Sequence, residues 1–250
     1  MAVESIVIDL TKPLPPELHP KIDHLLTEDD TPVDNIFSEK QQRLLVESLY
    51  SSWSGPGPQR PFIALANVGL FFAIRQPPQV PDVSLSLDVD LPEELWTKSH
   101  RSYFVWEYGK PPEVVVEVVS NREGGEDTGK LQRYASIGIR YYVIFDPDTH
   151  LSQDVLRGFQ LDAMRYRPMA LPLWFPGVEL GLQLWQGRYE THEDTWLRWV
   201  NATGQLIPTG AERAYQEGQR AEQERQRAEQ ERQRAERLAA QLRRLGVEPE

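Results

Sequence analysis

The 250-residue chain contains no cysteine, which excludes disulfides, thiolate nucleophiles and Cys-based zinc sites. It has no uninterrupted apolar run approaching the ~20 residues that span a bilayer. The first residues, Met1 to Ile6, are acidic rather than basic and lack a signal-peptide apolar core. A cytoplasmic protein with no membrane partner is expected. The five histidines (His19, His24, His100, His150, His192) show no metal-ligand spacing, and no Gly-x-Ser-x-Gly, P-loop or dinucleotide fingerprint is present. Basic charge is also scarce: 27 Lys and Arg stand against 38 Asp and Glu, a net −11. The deficit is uneven. Residues 1–35 hold eight acids and two lysines, 211–250 balance nine arginines with nine acids, and 36–210 are left near −5. Such a surface suits tight coating of duplex nucleic acid poorly, because that binding depends on Lys and Arg neutralising phosphates. It does not exclude a nuclease whose metal ions supply local positive charge.

Against these absences stands one run, Val114-Val115-Val116-Glu117-Val118-Val119-Ser120. Its β-branched composition reads as a strand buried on both faces. A carboxylate there costs several kcal/mol, or is driven neutral, unless it meets a counter-charge or a metal. Asp82, after Pro81 at the start of an earlier strand-like stretch, and Lys130, on a helix that follows, are its candidate companions. Asp, Glu and Lys around one buried strand point to metal-dependent cleavage of phosphodiesters. Magnesium is held by one or two carboxylates while keeping waters for substrate. Asp82 and Glu117 would be those ligands, with a neighbouring backbone carbonyl such as that of Val118 completing the shell. Lys130 lies in the first turn of its helix, on a face edge shared with Tyr134, and its stem can bring the ammonium to the carboxylates. There it would orient or deprotonate a water, or stabilise developing charge.

Along the chain, 1–35 is acidic and Pro-rich and reads as an irregular arm. Ser38 is placed to cap a helix over 39–50, with Leu44, Leu45, Ser48 and Leu49 at helical spacing. Residues 62–65 and 68–74 read as strands. The stretch 82–87 alternates Val83, Leu85 and Leu87 with Ser84 and Ser86, the period of a half-buried strand. A helix over about 126–137 ends at Gly138, and 140–145 form the next strand, closed by Asp146-Pro147. Strand, helix and strand in that order suit a crossover between neighbouring strands. The strand-rich stretch 151–208 is expected to extend and cover the sheet, with a hairpin turn at 201–204. Beyond 210 the heptad Ala221-Glu222-Gln223-Glu224-Arg225-Gln226-Arg227 repeats, residue for residue, from Ala228 to Arg234. A coiled coil wants two apolar positions per heptad, and here only one is apolar, an alanine, until Leu238, Leu242 and Leu245. Self-association or partner binding through the leucine end, and a solvated helix held by Glu–Arg pairs, are both open.

The spaced set Pro81-Asp82-Val83, Pro112 to Ser120, Asp127-Thr128-Gly129-Lys130 with Tyr134, and Gly138 to Pro147 resembles the Uma-type family of restriction-endonuclease-like proteins, within the PD-(D/E)xK nuclease superfamily. The resemblance covers about 36–185. It implies an α/β fold with a mixed β-sheet core flanked by helices, DNA as substrate, and a Mg2+ or Mn2+ ion on Asp82 and Glu117. The superfamily lysine usually stands two residues after the second acid, where this chain has Val119; the resemblance moves that role to Lys130. An acid on the first helix, Glu39 or Glu47, would assist, and Gln41 or Gln42 stands where relatives often carry His.

Plainer readings accompany each of these. Glu117 and Lys130 can form a metal-free buried ion pair, Asp82 can be a turn residue, Asp127 a helix cap, and Asp146 turn chemistry. Most of the seven tryptophans read as core rather than base-stacking platforms. The expected organisation is an arm (1–35), a nuclease-like domain (36–210) and a charged helix or coiled coil (211–250). A metal-dependent DNA endonuclease is the leading expectation, a catalytically inactive nuclease-fold scaffold the second, and a factor acting on RNA the third.

Overall fold

The computed structural model describes residues 14–22, 35–57, 60–121 and 124–244. Most of the acidic arm, and Leu245 at the leucine end of the tail, lie outside the described residues. The chain divides into two compact units, Met1–Ile207 and Pro208–Glu250.

The first unit is built on β5 (Val114–Val118), whose five residues are all buried. It pairs in parallel with β6 (Tyr141–Phe145) and antiparallel with β3 (Val83–Leu87). The chain passes from β5 to β6 through α3 (Gly129–Ile137), which gives the parallel pair the long connection it needs. With β1 (Phe62–Ala66), β7 (Leu156–Asp162) and β8 (Arg165–Pro168), these strands form one mixed sheet in the order β1-β3-β5-β6-β7-β8. Two smaller sheets accompany it: β2 (Leu70–Phe71) with β4 (Tyr103–Phe104), and β9 (Leu173–Phe175) with β10 (Leu180–Tyr189) and β11 (His192–Val200). A short helix, α2 (Val105–Tyr108), follows β4.

Alternation along the central strands separates two cores. Val114, Val116 and Val118 join Leu45 and Leu49 of α1 (Ile36–Ser52) and the inner residues Leu180, Leu182, Leu197 and Trp199 of the three-stranded sheet. Val115 and Val119 join Tyr134 of α3, Tyr142, Ile144, Leu70 and Tyr103 on the opposite face. The strand-rich stretch after 151 thus extends the main sheet and covers one of its faces. Both faces being covered explains why β5 reads as a continuous apolar run, and burying each valine side chain contributes about 1.5–3 kcal/mol.

Local differences from the sequence reading have identifiable causes. The cap of α1 is Asn35, whose side chain accepts from Ser38 N–H at 2.9 Å, so Ser38 is the third helical residue and buried. Residues 68–74 pair only at Leu70 and Phe71, because Asn67 adopts φ 52° just before them and the chain turns at 74–76. β3 is buried at all five positions; Ser86 is satisfied by the Tyr103 hydroxyl at 2.7 Å, so the polar half of the alternation faces protein rather than water. α3 starts at Gly129, three residues later than expected, with Thr128 in place of Asp127 at its cap position. Gly138 adopts φ 92° and its N–H donates to the carbonyls of Tyr134 and Ala135, which stops α3 and turns the chain into β6.

The second unit is α4 (Gly210–Arg244), a 35-residue helix. Its start is a reciprocal capping box: the Thr209 N–H donates to the Glu212 carboxylate at 2.8 Å, and the Glu212 N–H to the Thr209 hydroxyl at 3.2 Å. Arg213–Glu217 and Arg232–Glu229 are among its i,i+4 and i,i+3 pairs. Among the described residues no helix is long and apolar enough to cross a membrane.

Candidate active site

The antiparallel register sets Val83 against Val116, so Asp82, one residue before β3, comes opposite Glu117. β3 ends there while β5 continues, leaving Val118 without a strand partner on that side. The Asp82 carboxylate fills the gap, its Oδ2 accepting from the Val118 N–H at 2.6 Å. A strand residue's N–H and C=O point the same way, so the Val118 carbonyl also faces the Asp82 edge. The other Asp82 oxygen, Oδ1, accepts from Gln42 Nε2 of α1 at 3.0 Å, and Gln42 Oε1 accepts from Asn67 Nδ2 at 2.7 Å.

Glu117 is 1% exposed. Its Oε1 accepts from the Tyr134 hydroxyl at 2.6 Å and its Oε2 from Lys130 Nζ at 2.9 Å, both groups supplied by α3. Residues 130 and 134 are four apart, so one helical face delivers both donors to one carboxylate. The ammonium also donates to Glu126 Oε1 at 3.2 Å. Burial pushes the Glu117 carboxyl above its ordinary value, opposed by the Lys130 charge and the Tyr134 hydroxyl. Burial works against the Lys130 charge too, but Glu117, Glu126 and Asp82 outweigh it and hold the ammonium above its ordinary value. Lys130 therefore keeps its proton at neutral pH, which favours charge stabilisation or water orientation over proton abstraction. Burial and the adjacent Glu117 carboxylate push the Tyr134 phenol well up, so it remains a hydrogen-bond donor.

Asp82, Glu117, Lys130, Tyr134 and the Val118 backbone are thus brought together. Glu39 is not: it is exposed on α1 and pairs with Arg43 at 3.3 Å. The α1 residue that does reach the cluster is Gln42. The sequence reading named Gln41 or Gln42 at the place where relatives often carry His, and of the two it is Gln42 that donates to Asp82. Glu126 is a partner that the sequence reading lacks, because it stands before α3 begins at Gly129, outside the helical spacing. Asp127 approaches Arg157 at 4.0 Å, and Asp146 accepts the N–H groups of His150 and Leu151, as turn chemistry requires.

Among the described residues no group of three or more His, Asp or Glu is arranged to hold a metal. Two carboxylates and a backbone carbonyl still fit magnesium, which takes one or two carboxylates and keeps its waters. Glu117 Oε1 and Oε2 each accept one hydrogen bond described above, and a carboxylate oxygen offers a second lone pair that a cation can use.

Among solved structures, the chain is similar to a crystal structure described as "a putative nuclease belonging to DUF820" from Anabaena variabilis ATCC 29413. The two are 17% identical, and the match covers 56% of this chain and 71% of that one with a TM-score of 0.39. No curated protein matches the chain. The model of the Uma2 family, described as "Putative restriction endonuclease", matches residues 28–188, and the chain belongs to that family.

Proposed function

We propose that the protein is a Mg2+- or Mn2+-dependent DNA endonuclease of the cytoplasm, with Asp82, Glu117 and Lys130 at its centre. The observation that carries the proposal is the register-opposed pair of carboxylates at the end of the β3–β5 ladder, with a protonated lysine donating to one of them. The family description supports a nuclease. Asp82, Glu117 and the Val118 carbonyl would hold the cation. A bound divalent ion supplies positive charge to the phosphoryl oxygens and acidifies a water. Asp82 is fixed by Gln42 and the Val118 N–H, and Glu117 by Tyr134, so neither carboxylate needs to reorganise. Lys130 brings a permanent positive charge to the phosphate as negative charge develops on it. In a body of net negative charge, this local clustering of cation and ammonium is what would admit a polyanion.

The test pairs cleavage with metal binding. Asp82→Asn and Glu117→Gln keep side-chain volume and are expected to abolish Mg2+-dependent nicking of supercoiled DNA and to lose calorimetric Mn2+ binding. Lys130→Gln is expected to keep the metal and lower the cleavage rate by about 10²–10³-fold, the usual cost of removing one charge-stabilising donor. Mn2+ binding equal in wild type and Glu117→Gln would sink the proposal. Metal binding without cleavage of duplex, single-stranded or branched DNA, or of RNA, would favour the scaffold reading.

A further inference from the structure

Glu126 is the group in the cluster that the proposed chemistry leaves unused. It sits in the connection between β5 and α3, and its side chain is 9% exposed. Oε1 accepts from Lys130, whereas Oε2 is buried with no hydrogen-bond partner. A buried carboxylate oxygen without a donor is costly, and native structures keep few of them. Nor is this side chain adrift. The Glu126 backbone carbonyl accepts from the Tyr142 hydroxyl at 2.9 Å. Gly124 packs against the carboxylate so closely that a Cβ there would fall 1.9 Å from Oε1. The carboxylate is therefore held within hydrogen-bond reach of the same Lys130 ammonium that meets Glu117, with one acceptor position open.

We infer that Glu126 is a positioning residue that gives the Lys130 ammonium a second seat, freeing Glu117 for a divalent cation. The inference rests on the metal-dependent reading above. Lys130 occupies Glu117 Oε2, and an ammonium and a divalent cation on one buried carboxylate repel each other strongly. The ammonium has three donors. Shifting toward Glu126 lets it use both Oε1 and the open Oε2, so the lysine stays charged and paired while it vacates Glu117. Without Glu126 the ammonium has no such alternative, and the cation must compete with it.

Mn2+ titration by calorimetry on the full chain tests this, with urea midpoints recorded for each variant. Glu126→Gln is expected to weaken Mn2+ binding about tenfold, the scale at which outer partners tune metal sites. The double variant Glu126→Gln/Lys130→Gln is expected to match Lys130→Gln within about twofold, because no ammonium remains to be moved. Wild-type affinity in Glu126→Gln would overturn the inference alone. So would a deficit that persists in the double variant, which would make Glu126 a direct ligand or a purely structural group. A wild type that takes up no Mn2+ would overturn the functional reading and this inference with it. If Glu126→Gln fails to fold, Gly124→Ala displaces the carboxylate without changing its charge. A lowered Mn2+ affinity relieved by Lys130→Gln then supports the inference, and an unchanged one overturns it.

Discussion

Glu117 carries opposing electrostatics in one side chain: burial favours its neutral form, while Lys130 and Tyr134 favour its charge. Removing one partner should expose the balance. In Lys130→Met, Glu117 retains only the Tyr134 hydroxyl, and its folded carboxyl moves further above the ordinary 4.5. Between those values the folded state holds a proton that the unfolded chain has released, so stability falls as pH rises through the window and recovers below it. In the wild type the same window is narrower, because Lys130 opposes the rise of Glu117, and Lys130 adds a profile of its own. The raised Lys130 contributes fully below its ordinary value of 10.5, and that contribution is lost only as pH climbs through the folded value. Lys130→Met is therefore expected to cost about 3 kcal/mol at neutral pH and markedly less near pH 5, read from urea midpoints at the two pH values. A deficit equal at both would show that Glu117 is not the group left stranded. The need for a partner was legible in the sequence, since a carboxylate set among valines is too costly to bury alone. That the partner is shared with Glu126 was not, because the loop before α3 carries three acidic residues and no periodicity to choose between them.

At the level of elements, the site depends on where α3 begins and ends. Its nine residues place Lys130 and Tyr134 one turn apart over β5, and Gly138 fixes the stop. Gly138→Ala would force a Cβ into φ 92°. It is expected to destabilise the fold by about 1–2 kcal/mol and to weaken Mn2+ binding, because the helix would shift relative to Glu117. An unchanged urea midpoint would mean that α3 tolerates another ending. The Gly138 stop was readable from residue type alone, as was the doubly buried β5. The cap of α1 was not. Asn35 and Ser38 are both good capping residues, and only the packed helix shows that Ser38 lies on the buried stripe with Gln41, Gln42 and Leu45. The serines of β3 misled for a similar reason, since small hydroxyls satisfied by a neighbour such as Tyr103 are compatible with either side of a sheet.

For the whole molecule, the question is what the neutral, repetitive tail contributes to an acidic body. Every residue of the three hydrophobic cores lies at or before Ile207. The described side chains of α4 are nearly all exposed, Leu238 at 51% among them. The helix rests on its capping box and on Glu–Arg pairs worth about 0.2–0.5 kcal/mol each. One alanine per heptad falls short of the two apolar positions that a coiled-coil seam needs. A helix sustained in this way should loosen gradually with heat and salt, whereas the body should melt cooperatively. Deleting 208–250 is therefore expected to leave the cooperative transition within a few degrees, remove the gradual far-ultraviolet change that precedes it, and leave the mass per particle at one chain by light scattering. A dimer that falls to a monomer on deletion would instead assign the leucine end to self-association.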